Sequence, residues 1–428
     1  MMNKQPWLNG KLRVSENNRY LKNGSEPFFW LGDTAWLLFE HLSFEEIKEY
    51  LLIRKEQGYN VIQATLLHRS TKNIKVESFW DKVDKTLTFA EENGLYMALL
   101  PTWGSIVTRQ VLSIEEIEEY ADFLGNRYND RPNLIWVVGG DARADEGLEG
   151  FNLLGSTLRS LCPDYLITYH PFGRTSSTQW FEDSEWLDFH MFQSGHRRYD
   201  QASLGLEDDN SKTEYFYGED NWRYVEYDYK TTPHRPTIDA EPSYEEVPQG
   251  LHDTTQPLWK AHHVRRYAYW SVLEGTFGHT YGHNSVMQFY VASEEAGAYG
   301  ARTGWREGLE APGGKQMKYV KELMEMVDYQ NGSQARHLLA KSEENYEKHE
   351  RISVFATENH VLFYNYTGRT FGIDPEKFPW KTAKASFFDP EDGSVESLGI
   401  IDLNEKQEFE SPKSKGDFTD WVLILTEA

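Results

Sequence analysis

Cysteine is almost missing from this chain. Cys162 is the only one in 428 residues, so no intrachain disulfide can form and no cysteine-based metal site is available. Basic residues are also scarce beside acidic ones, 44 against 68, which leaves a formal charge of −24. A surface of that sign repels a phosphate backbone and an anionic membrane face alike, so neither nucleic acid nor membrane is an expected partner. No apolar run approaches the length that crosses a bilayer. The N-terminal MMNKQPWLNGKLRVSENN lacks the continuous apolar stretch of an export signal. The expected location is therefore cytoplasmic, or outside the cell if a leader has been removed. Missing too is any GxGxxG or P-loop pattern after an early strand, which counts against a doubly wound nucleotide-binding sheet. There is no internal repeat and no low-complexity segment.

Aromatic residues are abundant, at 14%, with fourteen Trp and twenty-five Tyr. Tyr and Trp combine a broad apolar face with a polar handle. Sugar rings have apolar C–H faces and hydroxyl edges and suit such surfaces, although core packing accounts for most individual aromatics.

Eight short apolar runs recur with helical patterns between them: FFWLGDTAWLL (28–38), NVIQATLL (60–67), LYMALLP (95–101), NLIWVVGG (133–140), YLITYHPFG (165–173), WLDFHMFQSG (186–195), RPTIDAEP (235–242) and GTFGHTYG (275–282). Nearly continuous runs, rather than strict alternation, suit strands buried on both faces. Ser43 with Glu46 and Ser113 with Glu116 are capping-box patterns, and Gly58 and Asn93-Gly94 offer helix stops. Ile114, Ile117, Ala121 and Leu124 form an apolar stripe at helical spacing, as do Phe79, Val83 and Leu87; residues 317–327 make a final amphipathic helix. Eight strands alternating with helices predict an α/β fold, a (β/α)8 TIM barrel. The unit between the fifth and sixth runs is short. The polar stretch 196–234 is expected to carry a helix and an active-site loop.

After about residue 333 the texture changes to RISVFATENHVLFYNYTG, KASFFDPEDGSVESLG and DWVLILTEA, with a hairpin signal at Asp392-Gly393. The expected domains are a catalytic barrel over 1–332, including a short N-terminal β segment, and a C-terminal antiparallel β-sandwich over 333–428.

Active-site side chains of such barrels come from the C-terminal ends of the strands. Those ends supply Asp33, His68, Trp103, Asp141, His170, His190, Gln193, Glu241 and His279. Asp33 reads equally as a partner of a sugar hydroxyl or as a cap of the helix after the first strand, and Trp36 reads as a stacking platform or, first, as core packing. Glycoside hydrolysis needs two carboxyl groups flanking the scissile bond. Asp141 follows two glycines after the fourth strand, where the backbone can turn sharply. Glu241 ends the seventh, held extended by Pro242. Taken alone, Asp141 reads equally as a helix N-cap and Glu241 as a solvated acid; the strand-four and strand-seven placement is what joins them. Glu219 and Asp220, in the long loop, are candidates for a subsite wall.

The chain resembles the family-140 glycoside hydrolases, the apiosidase-type barrels, through WLGDTAW (30–36), NLIWVVGGD (133–141), AEPSYE (240–245), GHTYGHNSVMQF (278–289), Trp305 and PGGKQM (312–317). The C-terminal part is similar to a module named for collagen binding. The resemblance implies a clan A retaining glycosidase with Asp141 as general acid/base and Glu241 as nucleophile. It implies no cofactor or metal, and a plant-type oligo- or polysaccharide substrate, such as apiose-containing pectin fragments. Most of the wider clan carries Asn-Glu where this chain has Gly-Asp, one methylene shorter. Two alternatives stand beside a glycosidase. One is a non-catalytic carbohydrate- or matrix-binding protein. The other is a metal-dependent barrel hydrolase, for which the fourteen histidines offer no close ligand spacing on an early strand.

Overall fold

In the computed structural model, which describes residues 5–201, 217–293, 295–413 and 420–428, each of the eight apolar runs contains a strand. These are β1 (Trp30–Thr34), β2 (Val61–Leu67), β3 (Tyr96–Thr102), β4 (Leu134–Ala142), β5 (Ile167–Pro171), β6 (His190–Phe192), β7 (Thr237–Asp239) and β8 (Gly278–Tyr281). Six form one parallel sheet in the order β8-β1-β2-β3-β4-β5, and β6 and β7 form a parallel pair. Backbone hydrogen bonds from Asp188 N to Ile167 O (2.8 Å) and from Phe277 N to Thr237 O (3.3 Å) span the two gaps.

Continuous apolar runs serve two cores at once, because successive side chains point to opposite faces of a strand. Tyr96, Ala98 and Leu100 join Val61, Ile135 and Val137 in an inner cluster. Their neighbours Met97, Leu99, Ile62, Leu134 and Trp136 pack outward on helical residues such as Ile47, Val83, Leu124 and Leu154. Those helices are α1 (Phe44–Glu56), α2 (Glu77–Glu92), α3 (Ile114–Tyr128) and α4 (Leu148–Leu161). Both foreseen capping boxes are present, with Glu46 N and Glu116 N donating to Ser43 and Ser113 Oγ and each glutamate accepting in return. Ile117, Ala121 and Leu124 are buried as the stripe requires; Ile114, in the first turn, is 36% exposed. Three short antiparallel strands (Leu12–Val14, Leu21–Asn23, Glu26–Phe28) precede β1. Their Leu12, Leu21 and Phe28 enter the inner cluster beside Tyr96, the first residue of β3, and so cover the N-terminal ends of the strands.

Later in the chain come α5 (Trp222–Asp228), α6 (Ala261–Glu274) and α7 (Pro312–Met326). The last starts five residues before the apolar pattern did, on Pro312 at its first position, where a missing N–H costs nothing. Only a four-residue helix, Thr178–Phe181, separates β5 from β6. Of the long polar stretch, α5 is the helix foreseen, and residues 202–216 lie outside those described.

Beyond 332 the strands are antiparallel: β9 (Ser333–Gln334), β10 (Ile352–Ala356), β11 (His360–Asn365), β12 (Phe371–Ile373), β13 (Thr382–Phe388), β14 (Val395–Asp402), β15 (Gln407–Phe409) and β16 (Trp421–Glu427). Six make a sheet ordered β9-β10-β11-β16-β13-β14, and β12 pairs with β15 in a ribbon. The Asp392-Gly393 turn joins β13 to β14, with Gly393 at φ +75°. Phe363, Val354 and Leu423 on one face meet Phe371 and Phe409 of the ribbon, a sandwich-like arrangement. Leu362, Tyr364 and Val422 on the other face pack on Ala268 and Tyr269 of α6 and Val320 of α7. Arg265 donates to both carboxylate oxygens of Asp420 (2.9 and 2.6 Å) across that seam.

Candidate active site

β4 does not end as an ordinary strand. Gly139, Gly140 and Asp141 have φ of +91°, +111° and +47°, and the pairing with β5 shifts register between Gly139 and Ala142. A β-carbon on Gly139 would lie 2.5 Å from His170 O, and one on Gly140 2.9 Å from a Leu100 methyl and 3.0 Å from the Trp103 ring. Conformation and space both demand glycine there. The outcome is a bulge that turns Asp141 into a cleft, with Tyr169 donating its hydroxyl hydrogen to Ala142 O (2.9 Å) beneath it.

Glu241 arrives by another route, two residues past β7, and lines the same cleft, a cavity of about 550 Å3. That volume falls within the usual range for small-molecule sites. The loops after β6 and β7 are pressed together. Gly195 N donates to Glu241 O (3.0 Å), and a β-carbon on Gly195 would fall 2.3 Å from the Pro242 carbonyl carbon. His196 N donates to Ser243 Oγ (2.9 Å), which brings His196 Nε2 to 3.0 Å from Glu241 Oε1. On the other side, His170 Nε2 lies 3.4 Å from Glu241 Oε2. Glu241 is 7% exposed, and burial pushes its carboxyl up to about 8, with the nearby Tyr244 hydroxyl acting in the opposite direction. Burial holds His170 neutral, down at about 3.

Of the expected site residues, Asp141, Glu241, Trp36, Trp103, His68 and Gln193 line the cleft. The two tryptophans meet edge to face at 5.1 Å, and His68 packs on Trp103 at 5.0 Å. Burial and the adjacent Arg69 push His68 down to about 4, so it is neutral at physiological pH. His170 is fully buried and stands behind the cleft lining, against Glu241, Trp36 and the Asp141 amide.

Asp33, His190 and His279 are corrections. Each is fully buried and outside the cleft lining. Strand parity is the reason. Leu31 packs toward the helices, so Asp33, two residues on, faces them as well. There Asp33 Oδ2 accepts from Tyr50 Oη (2.5 Å) and Arg54 Nε (2.7 Å), both on α1. His279 is in register with Leu31 and shares its side. His190 flanks the inward Met191, and its Nδ1 lies 2.9 Å from Ser177 Oγ. Glu219 and Asp220 are also off the cleft: Glu219 pairs with Arg266 and with His349 (3.1 Å), and Asp220 accepts from Tyr199 Oη.

Several cleft residues escaped sequence reasoning: His196, Arg197, Tyr244, His252 and Tyr299, with Arg69 at the rim. His196 and Tyr244 each follow a glycine or proline within a few residues of a strand end, a usable signal. His252 and Tyr299 lie far from any strand, and only folding brings them in. His196, Leu251 and Tyr299, like Asp141, have left-handed φ (+73°, +58°, +52°) without being glycine. Such strain gathers at functional sites.

Among the described residues, no group of three or more His, Cys, Asp or Glu side chains is placed to hold a metal ion. No helix among them is long and apolar enough to cross a membrane.

Residues 15–331 match the family model described as "Apiosidase-like, catalytic domain", and 335–426 match one named for the collagen-binding domain of a collagenase. No curated protein matches. A solved structure titled "Glycoside hydrolase" shares 39% identity, covering 99% of this chain and 98% of its own, with a TM-score of 0.92. A glycoside hydrolase family 5 structure from Bacteroides vulgatus shares 38% identity over 99% of this chain and 95% of its own, also at 0.92. A family 30 xylanase structure from Clostridium acetobutylicum is similar in fold alone: 10% identity, 97% and 99% covered, TM-score 0.52.

Proposed function

The chain belongs to the apiosidase-like family and is a glycosidase; from that premise we propose that it cleaves its glycosidic bond with retention of configuration, using Asp141 and Glu241 inside a closed (β/α)8 barrel of residues 1–332. The observation that carries this is the meeting of two carboxyl groups, a hundred residues apart, in one cleft that Trp36 and Trp103 also line. Asp141 protonates the leaving oxygen while Glu241 attacks the anomeric carbon and forms a glycosyl ester. Asp141 then takes a proton from the incoming water, which displaces Glu241. Closure of the barrel is supported by the inner cluster, to which β1 to β4, β6 and β7 all contribute.

The substrate is a plant-type oligo- or polysaccharide, with apiose-containing pectin fragments foremost. Pectic sugars carry carboxylates. In a chain with 24 excess negative charges, the cleft nevertheless includes Arg69 and Arg197. The second unit, 333–428, packs on the barrel through α6 and α7.

The test is turnover of aryl glycosides and pectic oligosaccharides with product configuration read by NMR. Glu241→Ala should lose almost all activity, and azide should restore part of it as a glycosyl azide of inverted configuration. Asp141→Ala with azide should instead yield the retained azide. Wild-type rates in Glu241→Ala, or inverted sugar from the unmodified enzyme, would end the proposal.

A further inference from the structure

A nucleophilic carboxylate must be ionised, yet Glu241 sits where burial favours its protonated form. Something in the site has to offset that. Glu241's two oxygens are faced by two imidazole nitrogens. His196 Nε2 is hydrogen-bonded to Oε1 at 3.0 Å. His170 Nε2 stands 3.4 Å from Oε2, two buried atoms with no other hydrogen-bond partner among the described residues and not yet in hydrogen-bonding geometry with each other. Neither ring is free to turn. His196 has a left-handed backbone and its N–H is bound to Ser243 Oγ, on a loop whose Gly195 touches the Pro242 backbone. The Tyr244 ring packs edge-on against it at 4.7 Å. His170 is fully buried, with the Trp36 ring edge-on at 5.2 Å.

Resting on the assignment of Glu241 as nucleophile, we propose that His196 and His170 form a two-imidazole clamp, positioning residues that hold Glu241 ionised and aimed by presenting Nε2–H to both its oxygens. For His170 the two contacts at Nδ1 require opposite tautomers, since a carbonyl accepts and an amide N–H donates, and the clamp uses the tautomer that leaves the ring proton on Nε2. Its Nδ1 has the Asp141 amide N–H at 3.5 Å and Pro171 O at 3.1 Å. When Nδ1 accepts from the Asp141 amide, the ring proton sits on Nε2 and faces Glu241. In that tautomer one buried imidazole ties the backbone that carries the acid to the carboxylate that attacks. Strain at His196 fits the same role, because a left-handed non-glycine residue persists only where its surroundings hold it.

The groups that bear on Glu241's ionisation come from every neighbouring element: His170 on β5, Asp141 at the end of β4, His196 and Arg197 after β6, Tyr244 after β7, and Tyr299 from the far loop. The clamp is therefore tested by exchanging one donor at a time. Glutamate labelled with 13C at Cδ is incorporated, and the Glu241 signal is identified by its loss in Glu241→Gln. Its titration midpoint is then followed in wild type, His196→Leu and His196→Gln. Leucine removes the donor, whereas glutamine carries an amide N–H at similar reach. The midpoint should rise by about one pH unit or more in His196→Leu and return toward wild type in His196→Gln. The acidic limb of kcat/KM on an aryl glycoside should move the same way, with KM changing little. His170→Gln and His170→Leu provide a second pair if the first is unstable. An unmoved midpoint in the leucine variants, or an equal rise with glutamine, overturns the clamp. The NMR readout needs no substrate, so it decides the clamp even if Glu241→Ala retains turnover and the nucleophile assignment fails.

Discussion

Replacing Gly140 by alanine should separate the fold's need for glycine from the site's. At φ +111° a non-glycine residue is strained by about 1–3 kcal/mol. Its β-carbon would also meet a Leu100 methyl at 2.9 Å and the Trp103 ring at 3.0 Å. Overpacking of that kind costs about 1–3 kcal/mol more. Gly399 is the matched control, since its φ is +86° but nothing lies within 4 Å of an added β-carbon. Gly399→Ala should bear the backbone strain alone, so the two variants should differ by about 1–3 kcal/mol in denaturant unfolding. Activity should separate them further. If relief of the clash moves Asp141 by about 1 Å, turnover falls about a hundredfold. A displaced acid hurts most where the leaving group needs protonation, so alkyl or oligosaccharide glycosides should lose more than nitrophenyl ones. Equal stability of the two variants, together with equal loss on good and poor leaving groups, would refute the claim that the GGD bulge exists to present Asp141.

Asp33→Ala should lower stability by about 3–5 kcal/mol, because Arg54 would remain buried without its partner. Replacing both by leucine should recover part of the loss, and KM should not change in whatever folds; a raised KM with wild-type stability would return Asp33 to the sugar site. Asp239 is fully buried, and burial pushes it up to about 7 against Ser194 and Asn221 donating to it at 2.5 and 3.0 Å. Between about pH 4 and pH 7 the folded chain thus keeps a proton that the unfolded chain has lost, and stability falls as pH rises through that window. Asp239→Asn should flatten this slope, and parallel denaturation midpoints at pH 5 and pH 7.5 in both proteins would exclude the effect.

Much of this architecture was legible along the chain because its signals are local. Capping boxes at Ser43 and Ser113 depend on a side chain and an amide three residues apart. Apolar runs such as NVIQATLL announce strands whatever lies around them. Pairing Asp141 with Glu241 was also legible, since parallel strands deliver their ends to one side. What misled was the assumption that any polar residue near a strand end faces the ligand. Asp33 is near the C-terminal end of β1, whereas His190 and His279 stand at the beginnings of β6 and β8; all three lie on the helix side, and counting parity from neighbouring inward residues would have excluded them.

Left to itself, the sequence determined which segments are strands and helices, that one rim gathers acids and aromatics, and that two glycines precede Asp141. Only the tertiary structure decided what surrounds Glu241. His196 and His170 lie forty-five and seventy-one positions away from it, the first in the loop after β6 and the second on β5, and the approach of His196 depends on two loops touching at Gly195 and Pro242. Burial acts the same way, since no carboxylate carries its own desolvation. It arises when other residues displace the water.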